Sequence, residues 1–103
     1  MDTYLATVIS NEQVADKIFR IELQGDVVKE MNTPGQFVNI KVSNSYEFLL
    51  RRPISICEIN KEKNTFVMVY RADGAGTKKI SQLNKGEEVD VLGPLGKGYD
   101  VYT

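Results

Sequence analysis

The chain has 103 residues, 42% of them hydrophobic and 26% charged, which bounds it to one ordinary globular domain with a single core. A formal net charge of −1 leaves no basic surplus for general nucleic-acid binding, and no apolar run approaches the roughly 20 residues that a membrane helix needs. One cysteine and no histidine exclude internal disulfides, clusters built from this chain's own thiolates, Ser-His-Asp and Cys-His catalysis and most transition-metal sites.

The start, MDTYLATVIS, lacks the basic residues and apolar stretch of a signal peptide, so a cytoplasmic location is expected. Strand signals then dominate the chain. YLATVIS (4–10), KIFRIEL (17–23), QFVNIKV (36–42), ISICEI (54–59), TFVMVYR (65–71) and EEVDVLG (87–93) are short runs rich in β-branched and aromatic residues. In the third, Val38, Ile40 and Val42 alternate with Asn39 and Lys41; in the sixth, Val89 and Val91 alternate with Glu88 and Asp90. A period of two marks strands with one buried face. DVVKEM (26–31) has room for a single helical turn. TPGQ (33–36), NKEKN (60–64) and NKGEE (84–88) carry turn chemistry, and INKEKNTF reads as a hairpin joining the fourth and fifth strands. One helix is predicted, from about Thr77 through KKISQL to about Leu83. Six short strands and one helix point to a small antiparallel barrel or sandwich. GPLGKG (93–98) reads as a turn or linker, which makes this the expected first domain of a longer protein.

Two stretches could carry chemistry. In LLRRPISICEI (49–59), two arginines and a proline lead into a strand, with Ser55 where an apolar residue would pack. Arg pairs hydrogen bonds to phosphate oxygens, and a serine hydroxyl donates or accepts. In YRADGAGTKKISQL (70–83), a strand ends in Arg71 and a glycine loop precedes the helix. Thr77 is the expected N-cap, and free N–H groups at a helix start attract anions. Lys78 and Lys79 are then expected in the first turn, where the macrodipole disfavours cations and a bound anion would offset the cost. The bland readings are surface ion pairs for the arginines and an ordinary capped connection for the loop. Gly74 and Gly76 begin a G-x-G-x-x-G, but position 79 is Lys, and the P-loop pattern is absent.

The order of the motifs is more specific than any one of them. R-P-x-S at 52–55, Y-R-x-x-G-x-G-T at 70–77 and GPLGKG at 93–98 together resemble the flavin-binding domain of the ferredoxin-reductase superfamily. With PGQFVNIKV and GEEVDVLGPLGKGY, nearly the whole chain is similar to one branch, the electron-transfer subunits of NAD-dependent bacterial dihydroorotate dehydrogenases. The resemblance implies an all-β fold, a six-stranded antiparallel Greek-key barrel with one short helix, that holds FAD over residues 1–98. Residues 99–103 would begin a linker to an NAD-binding domain, and a 2Fe–2S cluster would lie beyond it. It implies that Arg52 holds the pyrophosphate and Ser55 contacts the flavin ring, with Pro53 and Ile54 shaping its pocket. Val69, Tyr70 and Arg71 would line the rest of the cofactor, and Gly76 and Thr77 would present the helix start to phosphate. The implied partner is a catalytic dihydroorotate dehydrogenase subunit in a heterotetramer. Electrons would pass between that subunit and NAD in pyrimidine biosynthesis, and the 103 residues alone would be inactive. No nucleic acid, membrane or metal site is implied for these residues. The superfamily's stacking tyrosine is replaced by Ile54, which leaves Tyr70 as a candidate to cover the ring. Cys57 is expected to be a small buried packing residue with an inert thiol. Another reductase of the same superfamily, or a non-catalytic barrel that binds a partner, are the alternatives.

Overall fold

The computed structural model describes residues 3–41 and 51–95, apart from the side chains of residues 51, 52, 75 and 95. The predicted third-strand residue Val42 and the predicted linker, with residues 96–98 of GPLGKG, lie outside the described residues. Six strands form: β1 (Thr3–Ala15), β2 (Ile18–Gln24), β3 (Phe37–Lys41), β4 (Arg51–Asn60), β5 (Thr65–Arg71) and β6 (Glu88–Leu95). A 3-10 turn (Asp26–Glu30) follows β2, and helix α1 (Ala75–Ser81) follows β5. The strands close into a barrel in the order β1-β2-β5-β4-β3-β6, and every pairing is antiparallel. Chain neighbours β2 and β3 are separated in that order, as in a Greek key, and closure removes open sheet edges.

Alternation decides the core. Val38 and Ile40 of β3, Ile54 and Ile56 of β4, Phe66 and Met68 of β5 and Val89 and Val91 of β6 point inward and are buried. The residues between them are mostly less buried, except in β5, where Thr65 and Val67 are buried as well. Irregular registers at Val8/Ser10 and Gln13/Ala15 in β1, and at Ile56/Glu58 in β4, mark bulges, which bend strands as closure requires. The long β1 serves two neighbours: Thr3–Thr7 pair with β6, and Thr7–Ala15 with β2. Val27, Val28 and Met31 of the 3-10 turn and its exit join the core, so DVVKEM forms the short turn that its length predicted.

The turns follow their residues. Gln36 is buried, and its Oε1 accepts from the N–H groups of Asn32 (2.7 Å) and Thr33 (3.4 Å), which shapes TPGQ. The β4–β5 hairpin turns at 61–64, where Asn64 takes a left-handed φ of 59° that asparagine tolerates. Gly86, at φ 93°, permits the β6 entry turn, which Glu87 Oε1 closes on the Asn84 N–H at 2.6 Å. Among the described residues no helix is long and apolar enough to cross a membrane.

Candidate functional site

The strands carrying the two unusual motifs part company where the motifs begin. β4 pairs with β5 from Ile56↔Met68 to Asn60↔Thr65. Before Ile56, β4 runs with β3, from Lys41↔Arg51 to Phe37↔Ser55. Beyond Met68, β5 runs with β2, through Arg20↔Val69, Phe19↔Tyr70 and Ile18↔Arg71. Residues 52–55 and 69–71 therefore line the two sides of a notch, with no ladder between them among the described residues.

The outer strip of this notch is chemically mixed. Pro53 and Ser55 are exposed on β4, and Val69 and Arg71 are exposed on β5. Val69 is 43% exposed, which is unusual for a strand valine. Arg71 Nε lies 2.9 Å from Asp73 Oδ2, so the guanidinium is held at the strand's end. Across from Ser55, the half-buried Phe37 of β3 sits on the same outer face. Phe37 escaped the sequence reading because nothing local distinguishes a strand phenylalanine beside a site from one beside solvent.

Pro53 is not in a turn. The expected strand began at Ile54, whereas β4 already includes Arg51–Pro53. Proline's fixed φ suits extended backbone, and its missing N–H removes no β4–β5 bond where those strands have parted. Ser55 likewise leaves no gap in the core, because parity puts it outside while Ile54 and Ile56 fill the inner positions. Cys57 corrects the expectation made for it: it is exposed, at the β4 bulge after the inward Ile56.

Ile54 and Tyr70 line the notch from within, as core residues at 5% and 6% exposure. The Tyr70 ring stacks on Phe19, with centroids 5.9 Å apart and planes at 21°. Its hydroxyl donates to Asn11 Oδ1 at 3.1 Å. Burial pushes the phenol up to about 12.

Helix α1 starts two residues earlier than expected, and Gly74 rather than Thr77 is its N-cap. Thr77 is the third helical residue. Its Oγ1 accepts from the Gly74 N–H (3.1 Å) and donates back to the Gly74 carbonyl (3.2 Å). Gly74 has no side chain to cap with, so the threonine does the capping from inside the first turn. Lys78 and Lys79 consequently fall in the last turn, where the macrodipole favours cations, and the expected cost that an anion would offset is absent. The first intrahelical bond is Lys78 N–H to Gly74 at 2.9 Å, so the turn containing Gly76 and Thr77 keeps the N–H groups that every helix start leaves over.

A serine hydroxyl, a strand-end guanidinium, an apolar wall and a glycine-bearing helix start are donors and surfaces that fit a flat ring carrying a pyrophosphate.

Residues 5–99 match the family model of the oxidoreductase FAD-binding domain. The electron transfer subunit of dihydroorotate dehydrogenase B (NAD(+)) from Bacillus mycoides (strain KBAB4) is 53% identical over 94 residues, 91% of this chain and 36% of the relative. The chain thus spans about a third of the length of the curated relatives it matches. A solved NADH-dependent reduced ferredoxin-NADP oxidoreductase superposes with a TM-score of 0.81 at 26% identity, covering 92% of this chain and 34% of that one. An Amycolatopsis cytochrome P450 reductase gives 0.72 at 25% identity, over 93% of this chain and 29% of that one. Since the family model covers nearly the whole barrel, the chain belongs to the oxidoreductase FAD-binding domain family.

Proposed function

We propose that this chain is the FAD-holding module of an electron-transfer subunit that passes electrons between a catalytic dihydroorotate dehydrogenase subunit and NAD in pyrimidine biosynthesis. The carrying observation is the notch: β4 and β5 separate beyond Ile56↔Met68, and the motif residues are its two walls. The relative that is 53% identical, an electron transfer subunit of dihydroorotate dehydrogenase B (NAD(+)), supports the choice of partner and of acceptor. FAD, when bound, supplies both hydride and single-electron transfer.

The chain's own residues bind and orient. Arg52, by its motif position, takes the pyrophosphate. Ser55 offers its hydroxyl to the ring edge, and Pro53 and Ile54 shape the pocket from the outer and inner face of β4. Val69, Tyr70 and Arg71 form the opposite wall. Gly76 and Thr77 turn the first-turn N–H groups toward phosphate. NAD and the 2Fe–2S cluster belong outside the barrel. The partner is the catalytic subunit, in a heterotetramer, and the location is cytoplasmic.

The full chain, stripped of flavin and titrated with FAD, tests the site. Arg52→Ala is expected to raise the Kd about tenfold or more, which is about 1.4 kcal/mol. Unchanged affinity removes Arg52 from the site, and a protein that takes up no FAD overturns the flavin reading. Dihydroorotate-dependent NAD reduction on mixing with the catalytic subunit tests the electron path.

A further inference from the structure

One side chain joins the 69–71 wall of the notch to the end of helix α1 from a strand that carries no motif. Asn11 lies in β1, at Asn11↔Ile21 in the β1–β2 register, far in sequence from β5 and α1. Its Nδ2 donates to the carbonyls of Ile80 (2.9 Å) and Leu83 (3.0 Å), at the C-terminal end of α1. Its Oδ1 accepts from the Tyr70 hydroxyl at 3.1 Å. The amide thus uses both of its donors and its acceptor on two segments that its own strand does not pair with.

A short loop joins the two segments, with Ala72 buried and its N–H donating to the Lys17 carbonyl at 2.7 Å. A helix of seven residues is too short to hold itself in water, so its place comes from tertiary contacts. Ile80 supplies one, buried at 2%. The Ile80 carbonyl also accepts from the Leu83 N–H at 3.1 Å, so the Asn11 amide ties itself to the turn that closes the helix. Leu83 packs against the core as well. Apolar packing is non-directional, whereas two directed bonds at the C-terminal end fix the helix's rotation and therefore where residues 76 and 77 sit.

We infer that Asn11 is a positioning residue: by bonding Tyr70 and the α1 carbonyls together, it holds the 69–71 wall and the 76–77 segment at the separation that FAD requires. This rests on the FAD reading above.

Asn11→Asp is the discriminating change. It keeps an acceptor for Tyr70, deletes both amide donors and sets a carboxylate against two carbonyl oxygens. In the full chain, with folding verified by circular dichroism, the expected result is a Kd for FAD raised about tenfold or more near neutral pH. The bound-flavin visible spectrum at saturation should be unchanged. Acidification gives the carboxyl an O–H donor, so the ratio of variant to wild-type Kd should shrink from about pH 8 to about pH 5. Tyr70, the titratable group bonded to Asn11, stays neutral throughout that range. An unchanged Kd, a ratio indifferent to pH, or a spectrum that shifts with the Kd would each overturn the inference. Should the aspartate variant not fold, Asn11→Ser removes the same donors without adding charge and is expected to weaken FAD several-fold. Loss of folding in both would make Asn11 a fold residue and overturn the inference. Gly76→Val separates the two levels: if it binds FAD normally, the site reading fails; if it loses FAD while Asn11→Asp does not, only the role of Asn11 fails.

Discussion

Gly76 is the second helical residue of α1, where the chain could have used a better helix former. Valine there would favour the helix by a few tenths of a kcal/mol relative to glycine. It would also add side-chain bulk where backbone is proposed to approach phosphate. Gly76→Val is therefore expected to cut FAD affinity about tenfold or more with circular dichroism unchanged, a combination that helix damage cannot produce. Tyr70 gives a second test that needs no cofactor. Its folded phenol is raised from the ordinary 10.0 to about 12, so the neutral form is the one the fold favours. That contribution is complete below about pH 10 and is lost as pH climbs from there through about 12. Urea midpoints measured across this range should fall in the wild type and fall less in Tyr70→Phe. The phenylalanine variant should itself start about 1 kcal/mol less stable, because Asn11 loses a partner.

Among elements, the exit from β2 passes close to β1. A Cβ on Gly25 would lie 3.1 Å from the Leu5 carbonyl oxygen and 3.3 Å from Ala6 Cα, both backbone atoms of β1. The glycine's own N–H donates to Asn64 at 3.0 Å, so it cannot retreat without breaking that bond. Gly25→Ala is expected to destabilise by about 1–3 kcal/mol, read as a lowered thermal midpoint, since overpacking against backbone forces a shift. The 3-10 turn that follows carries Val27 and Val28 into the core and would move with it. Element existence was plain in the sequence, since all six runs of β-branched and aromatic residues became strands. Element ends were not. β1 runs to Ala15 because β2 carries the pairing on through NEQVA, where Glu12–Ala15 are all exposed, Val14 included, and give no alternation to read. Helix α1 starts at Ala75 because a threonine inside the first turn can cap as well as one before it.

At the level of the whole molecule, the barrel is a holder. Hydride transfer from a nicotinamide needs the reacting atoms within about 3–3.5 Å, which demands a second nucleotide site. The described residues contain one strand–loop–helix connection, β5 to α1. Residues 1–103 expressed alone and loaded with FAD are therefore expected to be reduced by NADH no faster than free FAD. Stopped-flow bleaching of the flavin band measures this, and rapid saturable reduction would place a nicotinamide site in the barrel itself. The sequence alone determined the strand set, because that rests on residue type and on periods of two along one chain, and the order of its motifs carried the resemblance to the family. It could not determine that β4 and β5 separate beyond Ile56↔Met68, that Cys57 faces out, that Thr77 caps from within the helix, or that Asn11 reaches both Tyr70 and α1. The Thr77 cap is a contact with Gly74 three residues away and turns on where the helix starts; the others depend on which strands become neighbours when the barrel closes. That is a property of residues separated by up to 72 positions, and only the folded backbone brings them within hydrogen-bonding distance.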